Sequence, residues 1–210
     1  MSKRSKGKTD HKLKTLKKVY DFYKPTVFTL ALASAEGIDP AFSCLERVFK
    51  AFSNKREKEI RIDGVREYLL RETLRKARKI GTGKNRVPGS PMQLTIEERA
   101  FLEKLFTTVD KSALEVWVLK RVIELSGDEA QNIVGCGPEQ AAKYLSDADS
   151  AIQAAFPDRT VEEVAAEYRA MAMKLSDVSE VWSSIEFYVK TRRTEYRAAG
   201  VTAAVLLVLL

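Results

Sequence analysis

An all-α chain is what this sequence predicts, on three observations. Apolar residues recur at every third or fourth position and nowhere alternate in the period-two pattern of a half-buried strand. Two capping boxes, Thr95-Ile-Glu-Glu98 and Thr160-Val-Glu-Glu163, announce helix starts, because the threonine oxygen accepts from the third amide while the glutamate reaches back. Residues 81–93, GTGKNRVPGSPMQ, hold three Gly and two Pro in thirteen positions and read as an extended linker between two small helical domains.

The elements follow in order. Residues 1–18 form a basic arm with eight Lys/Arg against one Asp, which equals the net charge of +7 for the whole chain and leaves the remainder balanced. A first domain spans residues 19–80. Its first helix, residues 18–34, places Tyr20, Tyr23, Val27, Leu30 and Ala31 at helical spacing, with Pro25 tolerable only near a helix start or at a kink. Glu36-Gly37 breaks it, and Asp39-Pro40 restarts it with Asp39 as N-cap and Pro40 at the first helical position. Leu45, Val48, Phe49 and Phe52 line one face of this second helix. A third helix over residues 63–80 turns Val65, Leu69, Leu70, Leu74 and Ala77 inward and Arg66, Arg71, Arg75, Arg78 and Lys79 outward. A merely solvated face would account for those cations as well.

The second domain spans residues 94–156. Leu102, Leu105, Phe106 and Val109 form one apolar stripe, and Leu114, Val118, Val122 and Leu125 another. Residues 157–197 are a C-terminal helical extension whose last helix lines up Val178, Val181, Trp182, Ile185 and Val189. Residues 198–210 are uncharged and apolar, behind Arg192, Arg193 and Arg197 placed as a positive-inside flank. Thirteen helical residues reach only about 20 Å, against about 30 Å for a hydrocarbon core, so this is either the start of a membrane helix or a segment that never spans.

Composition narrows the function classes. A chain of 210 residues with 45% hydrophobic content can build one large core or two modest ones. The positive charge points to an anionic partner: DNA, RNA or lipid headgroups. Cys44 and Cys136 are far apart and without metal-ligand spacing, which reads as buried reduced thiols in a reducing cytosol. His11 lies in the basic arm and reads as solvated. No GxSxG, Walker loop or HExxH occurs, so a non-enzymatic protein without metal or cofactor is expected. The basic start is not followed by an apolar segment, so no signal peptide is expected there.

Residues 125–149, LSGDEAQNIVGCGPEQAAKYLSDAD, have the outline of a helix-turn-helix. Ser126 or Asp128 can cap a short helix ending near Val134, Gly135 suits a positive-φ turn, and a second helix starts at Pro138. Ala141, Leu145, Ala148 and Ile152 would face inward, and Gln140, Lys143, Tyr144 and Asp147 outward. In a DNA-reading unit that outer face enters the major groove, where Gln pairs with adenine and Lys with guanine or phosphate. Such shapes also serve purely as packing units.

The run ALEVWVLKRVIELSGDEAQNIVGCGPEQAAKYLSDADSAI resembles the fourth conserved region of bacterial RNA polymerase sigma factors of the extracytoplasmic-function group. The likeness runs without a gap through Glu115, Val116, Val118, Leu119, Leu125, Ser126, Glu129, Ile133, Gly135, Pro138, Leu145, Ser146 and Ala148. The front half, VYDFYKPTVFTLAL and DPAFSCLERVFKAF, resembles the second conserved region through Asp39, Glu46, Lys50, Ala51 and Phe52. Together the two regions cover residues 19–152.

The resemblance implies a cytoplasmic sigma factor of this group that binds core RNA polymerase and promoter DNA to direct transcription initiation. An anti-sigma regulator would be a further partner. Beyond Asp158 the resemblance ends, and it is the cationic flank before the apolar run that favours attachment of the C-terminus to the inner face of the membrane. Leu45, Glu46, Phe49 and Lys50 would dock on the polymerase clamp helices. Arg71, Arg75, Arg78 and Lys79 would lie by the −10 element. Gln140, Lys143 and Tyr144 would face the −35 element, with Lys84 and Arg86 in the linker along the RNA path. The departures are Ala41, Phe42 and Leu45, where the family carries two acids and a Gln, and Asp147 and Asp149, where it carries two cations. Each lost phosphate contact lowers the salt slope by about 0.9, so strong −35 binding by this helix is not expected without compensation. The alternative is a degenerate sigma-like interaction protein that binds polymerase or a regulator without reading promoters.

Overall fold

The computed structural model describes residues 3–55, 64–80, 94–177 and 180–191, and among them there is no β-strand. The helices are α1 (Lys3–Ala35), α2 (Ile38–Ser53), α3 (Val65–Ile80), α4 (Ile96–Thr108), α5 (Lys111–Trp117), α6 (Gly127–Val134), α7 (Pro138–Ala155), α8 (Val161–Ser176) and α9 (180–191). The chain leaves α5 through a π-helical turn, Val118–Val122. The linker at residues 81–93, with Lys84 and Arg86, and the apolar segment at residues 198–210 lie outside the described residues. No helix among the described residues is long and apolar enough to cross a membrane.

Local chemistry sets most helix ends. Thr95, Ser126 and Thr160 each cap a helix through a complete capping box with Glu98, Glu129 and Glu163, and Asp110 caps α5 by accepting from the Ser112 and Ala113 amides. Two ends differ from the sequence reading. The basic arm is not separate from the first helix: α1 runs unbroken from Lys3, which leaves Pro25 in its interior. Lysine and leucine favour helix even where no apolar stripe announces one. The Asp39 cap does not form, because α2 begins at Ile38 behind Gly37, whose backbone is extended. The left-handed residue at this corner is Glu36 (φ 52°), the position that reverses the chain.

The predicted stripes form the core. Leu69, Leu70, Leu74 and Ala77 of α3 are buried against α1 and α2, Leu114 is buried on α5, which packs on α7, and Val118 and Val122 of the π-helical turn are buried with Leu125 after it. One continuous cluster of buried apolar side chains runs through both helical groups, with α1 packed on α5 and α8 as well as on α2 and α3. The Tyr168 hydroxyl, fully buried on α8, donates to the Thr29 carbonyl of α1 at 3.0 Å, and Lys24 pairs with Asp177 at 2.8 Å. The extension is therefore part of the body. Helix α9 adds Val181 and Ile185 to the same core.

Candidate functional site

The helix-turn-helix forms as α6, a turn at Gly135 (φ 79°) and α7 with Pro138 in its first turn. Positive φ at Gly135 costs a residue without Cβ nothing, and the amides of Gly135 and Cys136 both reach the Gln131 carbonyl to close the first helix. Ala141, Ala148 and Ile152 are buried, which sends Gln140, Lys143 and Asp147 into solvent with Tyr144 half-buried beside them. The Gln140 side-chain amide donates to the Tyr144 hydroxyl at 2.8 Å, so these two groups satisfy each other on the outer face.

Asp149 is not on that face. Two residues along a helix are about 200° apart, so Asp147 points outward while Asp149 turns back to pair with Arg121 at 2.7 Å. Only Asp147 stands where a groove-bound helix would meet phosphate. The charge balance of the unit still opposes DNA: α6 and α7 carry five carboxylates against one lysine, a net of −4.

The cations of α3 are exposed, as their spacing requires, and most are already paired. Arg71 binds Glu67 at 2.8 Å. Arg75 makes a two-pronged contact with Glu72, which Lys76 approaches at 3.5 Å. Burial acts to raise the Glu72 carboxyl, but these cations hold it below its ordinary 4.5. Arg78 reaches across to α5 and holds Glu115, with Nη2 to Oε2 at 2.6 Å. Glu115 is 1% exposed and Arg78 about half exposed, so the pair sits at the edge of the core. The hydrogen bond to Glu115 raises the Arg78 guanidinium pKa further, so it is permanently charged. Lys79 is exposed beside it.

On α2 the four expected contact residues divide. Leu45 and Phe49 are fully buried core residues, Phe49 with its ring against Tyr20 at 4.9 Å, and have no surface to offer a partner. Their apolar character, on which helical spacing alone is silent about direction, is used by α1. Glu46 and Lys50 reach the surface, pair with each other, and are covered by α9. The Ser184 hydroxyl donates to Glu46, the Lys50 ammonium donates to Ser184 at 3.2 Å and lies over the Tyr188 ring at 5.3 Å, and the Asn54 amide donates to the Tyr188 hydroxyl at 3.1 Å. Burial acts to raise the Glu46 carboxyl, yet the bonds from Lys50 and Ser184 leave it below 4.5.

Sequence reasoning missed Glu115, Glu72, Arg121, Ser184 and Tyr188. Glu115 carried a signal: it stands three residues before Val118 inside ALEVWVL, in register with the inward stripe, so its carboxylate had to find a cation. Glu72 carried one as well, with Arg75 and Lys76 three and four residues along the same helix, whereas Arg121, Ser184 and Tyr188 mark contacts between distant segments and have no local signature.

Among the described residues no group of three or more His, Cys, Asp or Glu side chains is arranged to hold a metal ion. Comparison with family models, curated proteins and solved structures finds no match for this chain.

Proposed function

We propose that the chain is a sigma factor of the extracytoplasmic-function type, which binds core RNA polymerase and takes part in promoter recognition. The observation that carries this is the helix-turn-helix at residues 126–155, whose caps, turn glycine and outward Gln140, Lys143 and Tyr144 coincide with the segment resembling the fourth sigma region. Duplex contact in this reading falls chiefly to Arg71, Arg75, Arg78 and Lys79, because α7 brings only one cation. Those arginines must exchange carboxylate partners for phosphate, which makes binding weak at rest and steeply salt-dependent.

A second reading draws on the acidity of the helix-turn-helix. A net of −4 over α6 and α7 repels phosphate and suits a basic protein surface, so the unit would serve an interaction protein that holds polymerase or a regulator of the anti-sigma kind. Attachment to a membrane through the C-terminus belongs to both readings and rests on the sequence of residues 192–210.

The test is transcription with purified chain and core polymerase. The first reading expects initiation from a defined site, lost when Arg75 and Arg78 are replaced by Ala and weakened by Lys143→Ala and Tyr144→Ala. Polymerase binding without any defined start site, indifferent to all four substitutions, supports the second reading and overturns the first.

A further inference from the structure

Helix α9 lies in the groove between α1 and α2. Against α1 it sets Trp182, 5.2 Å from the Tyr20 ring and 5.1 Å from the Lys17 ammonium, with Ile185 fully buried beneath. Against α2 it sets the hydroxyls of Ser184 and Tyr188, on Glu46, Lys50 and Asn54. The two sides differ in what separation would cost. The inner side of α2 is packed on α1 and α3, and Leu45, Val48 and Phe49 are buried in that core. Its outer side presents an ion pair and an amide, groups that water can satisfy as well as Ser184 and Tyr188 do. The anchors of α9 in the core are Val181 and Ile185, with Trp182 and Val189 packed half-buried against it, all on a helix of twelve residues. A helix that short does not hold itself together by hydrogen bonding alone, so its order depends on the groove.

We propose that α9 is a releasable cover of the α2 docking face. In the covered state Glu46, Lys50 and Asn54 are occupied by the chain's own C-terminal helix, and a partner gains them only by taking the place of α9 in the groove. The partner that fits is itself helical, because the groove already accommodates a helix, and it carries hydroxyl or amide groups at the positions of Ser184 and Tyr188. This rests on the reading of the chain as a polymerase-binding protein and assigns that partner to a helical element of core RNA polymerase. Apparent affinity then equals intrinsic affinity multiplied by the uncovered fraction.

Hydrogen exchange of the full chain, with and without core polymerase, tests the cover. Polymerase should speed exchange in residues 180–191 while protecting α2. Ile185→Asp, which drives a carboxylate into the buried anchor site, should tighten polymerase binding by about tenfold or more, corresponding to about 1.4 kcal/mol of lost cover. Tyr188→Ala keeps the test open should Ile185→Asp unfold the chain, since its ring is half-buried and its contacts to Lys50 and Asn54 are removed; a gain of about threefold is expected. Equal polymerase affinity for the wild-type and variant chains, with residues 180–191 still protected in the complex, overturns the cover and leaves the polymerase reading standing. Absence of polymerase binding in wild type and in both variants overturns the polymerase reading, and the cover's assigned partner with it.

Discussion

The Arg78–Glu115 pair ties α3 to α5, and replacing Arg78 by Ala isolates its contribution. The substitution leaves a carboxylate that is 1% exposed without its two guanidinium bonds. For a fully buried pair, removing one partner costs about 3–5 kcal/mol. Here the arginine is about half exposed and water can reach the vacated side, so the expected loss is about 2–3 kcal/mol. For a chain of this length that lowers the melting temperature by roughly 4–12 °C. Urea unfolding followed by circular dichroism measures it, within a cycle that adds Glu115→Gln and the double variant. The double variant should be less unstable than the sum of the singles by at least about 1 kcal/mol, because neither change then strands a charge. An Arg78→Ala chain within about 0.5 kcal/mol of wild type, or strictly additive singles, refutes the argument that a buried carboxylate depends on this arginine.

Five further outcomes follow from the same geometry. Asp147→Arg should raise affinity for duplex DNA of any sequence in a filter-binding or anisotropy assay. Asp149→Arg should instead lower thermal stability, because it sets a second guanidinium against Arg121. Gly135→Ala, at φ 79° with open space around the added methyl, should cost about 1–2 kcal/mol in urea unfolding, all of it from the backbone. Glu46 and Glu72 titrate below their ordinary 4.5 in the folded chain; the stability they contribute is complete above that value and disappears as pH falls through the lower folded values, so unfolding free energy should be flat from about pH 7 to 5 and decline below. Burial pushes the Cys44 thiol up to about 12, so the native chain should react at neutral pH through Cys136 alone, with Cys44 titrating only after denaturation.

The sequence by itself determined the helices and most of their ends. Capping boxes are contacts within four residues, and the apolar stripes at 102–109, 114–125 and 141–152 fix which side of each helix is dry, so both are legible in a linear string. The same periodicity could have shown that Asp149 lies away from Asp147, since 200° of rotation is arithmetic. It could not show what Asp149 meets. Arg121 lies twenty-eight residues back, Glu115 thirty-seven residues beyond Arg78, and Ser184 far along the chain from Glu46, and only the packing of α5, α7 and α9 brings each pair together. That packing decided that Arg78 is held by Glu115 and that the polar face of α2 is covered by α9, whereas Arg71 and Arg75 meet Glu67 and Glu72 within α3 itself. Charge, unlike apolar spacing, carries no direction in a sequence: an arginine on an outer helix face can meet phosphate or a neighbouring glutamate, and the nearer partner is chosen by the tertiary fold.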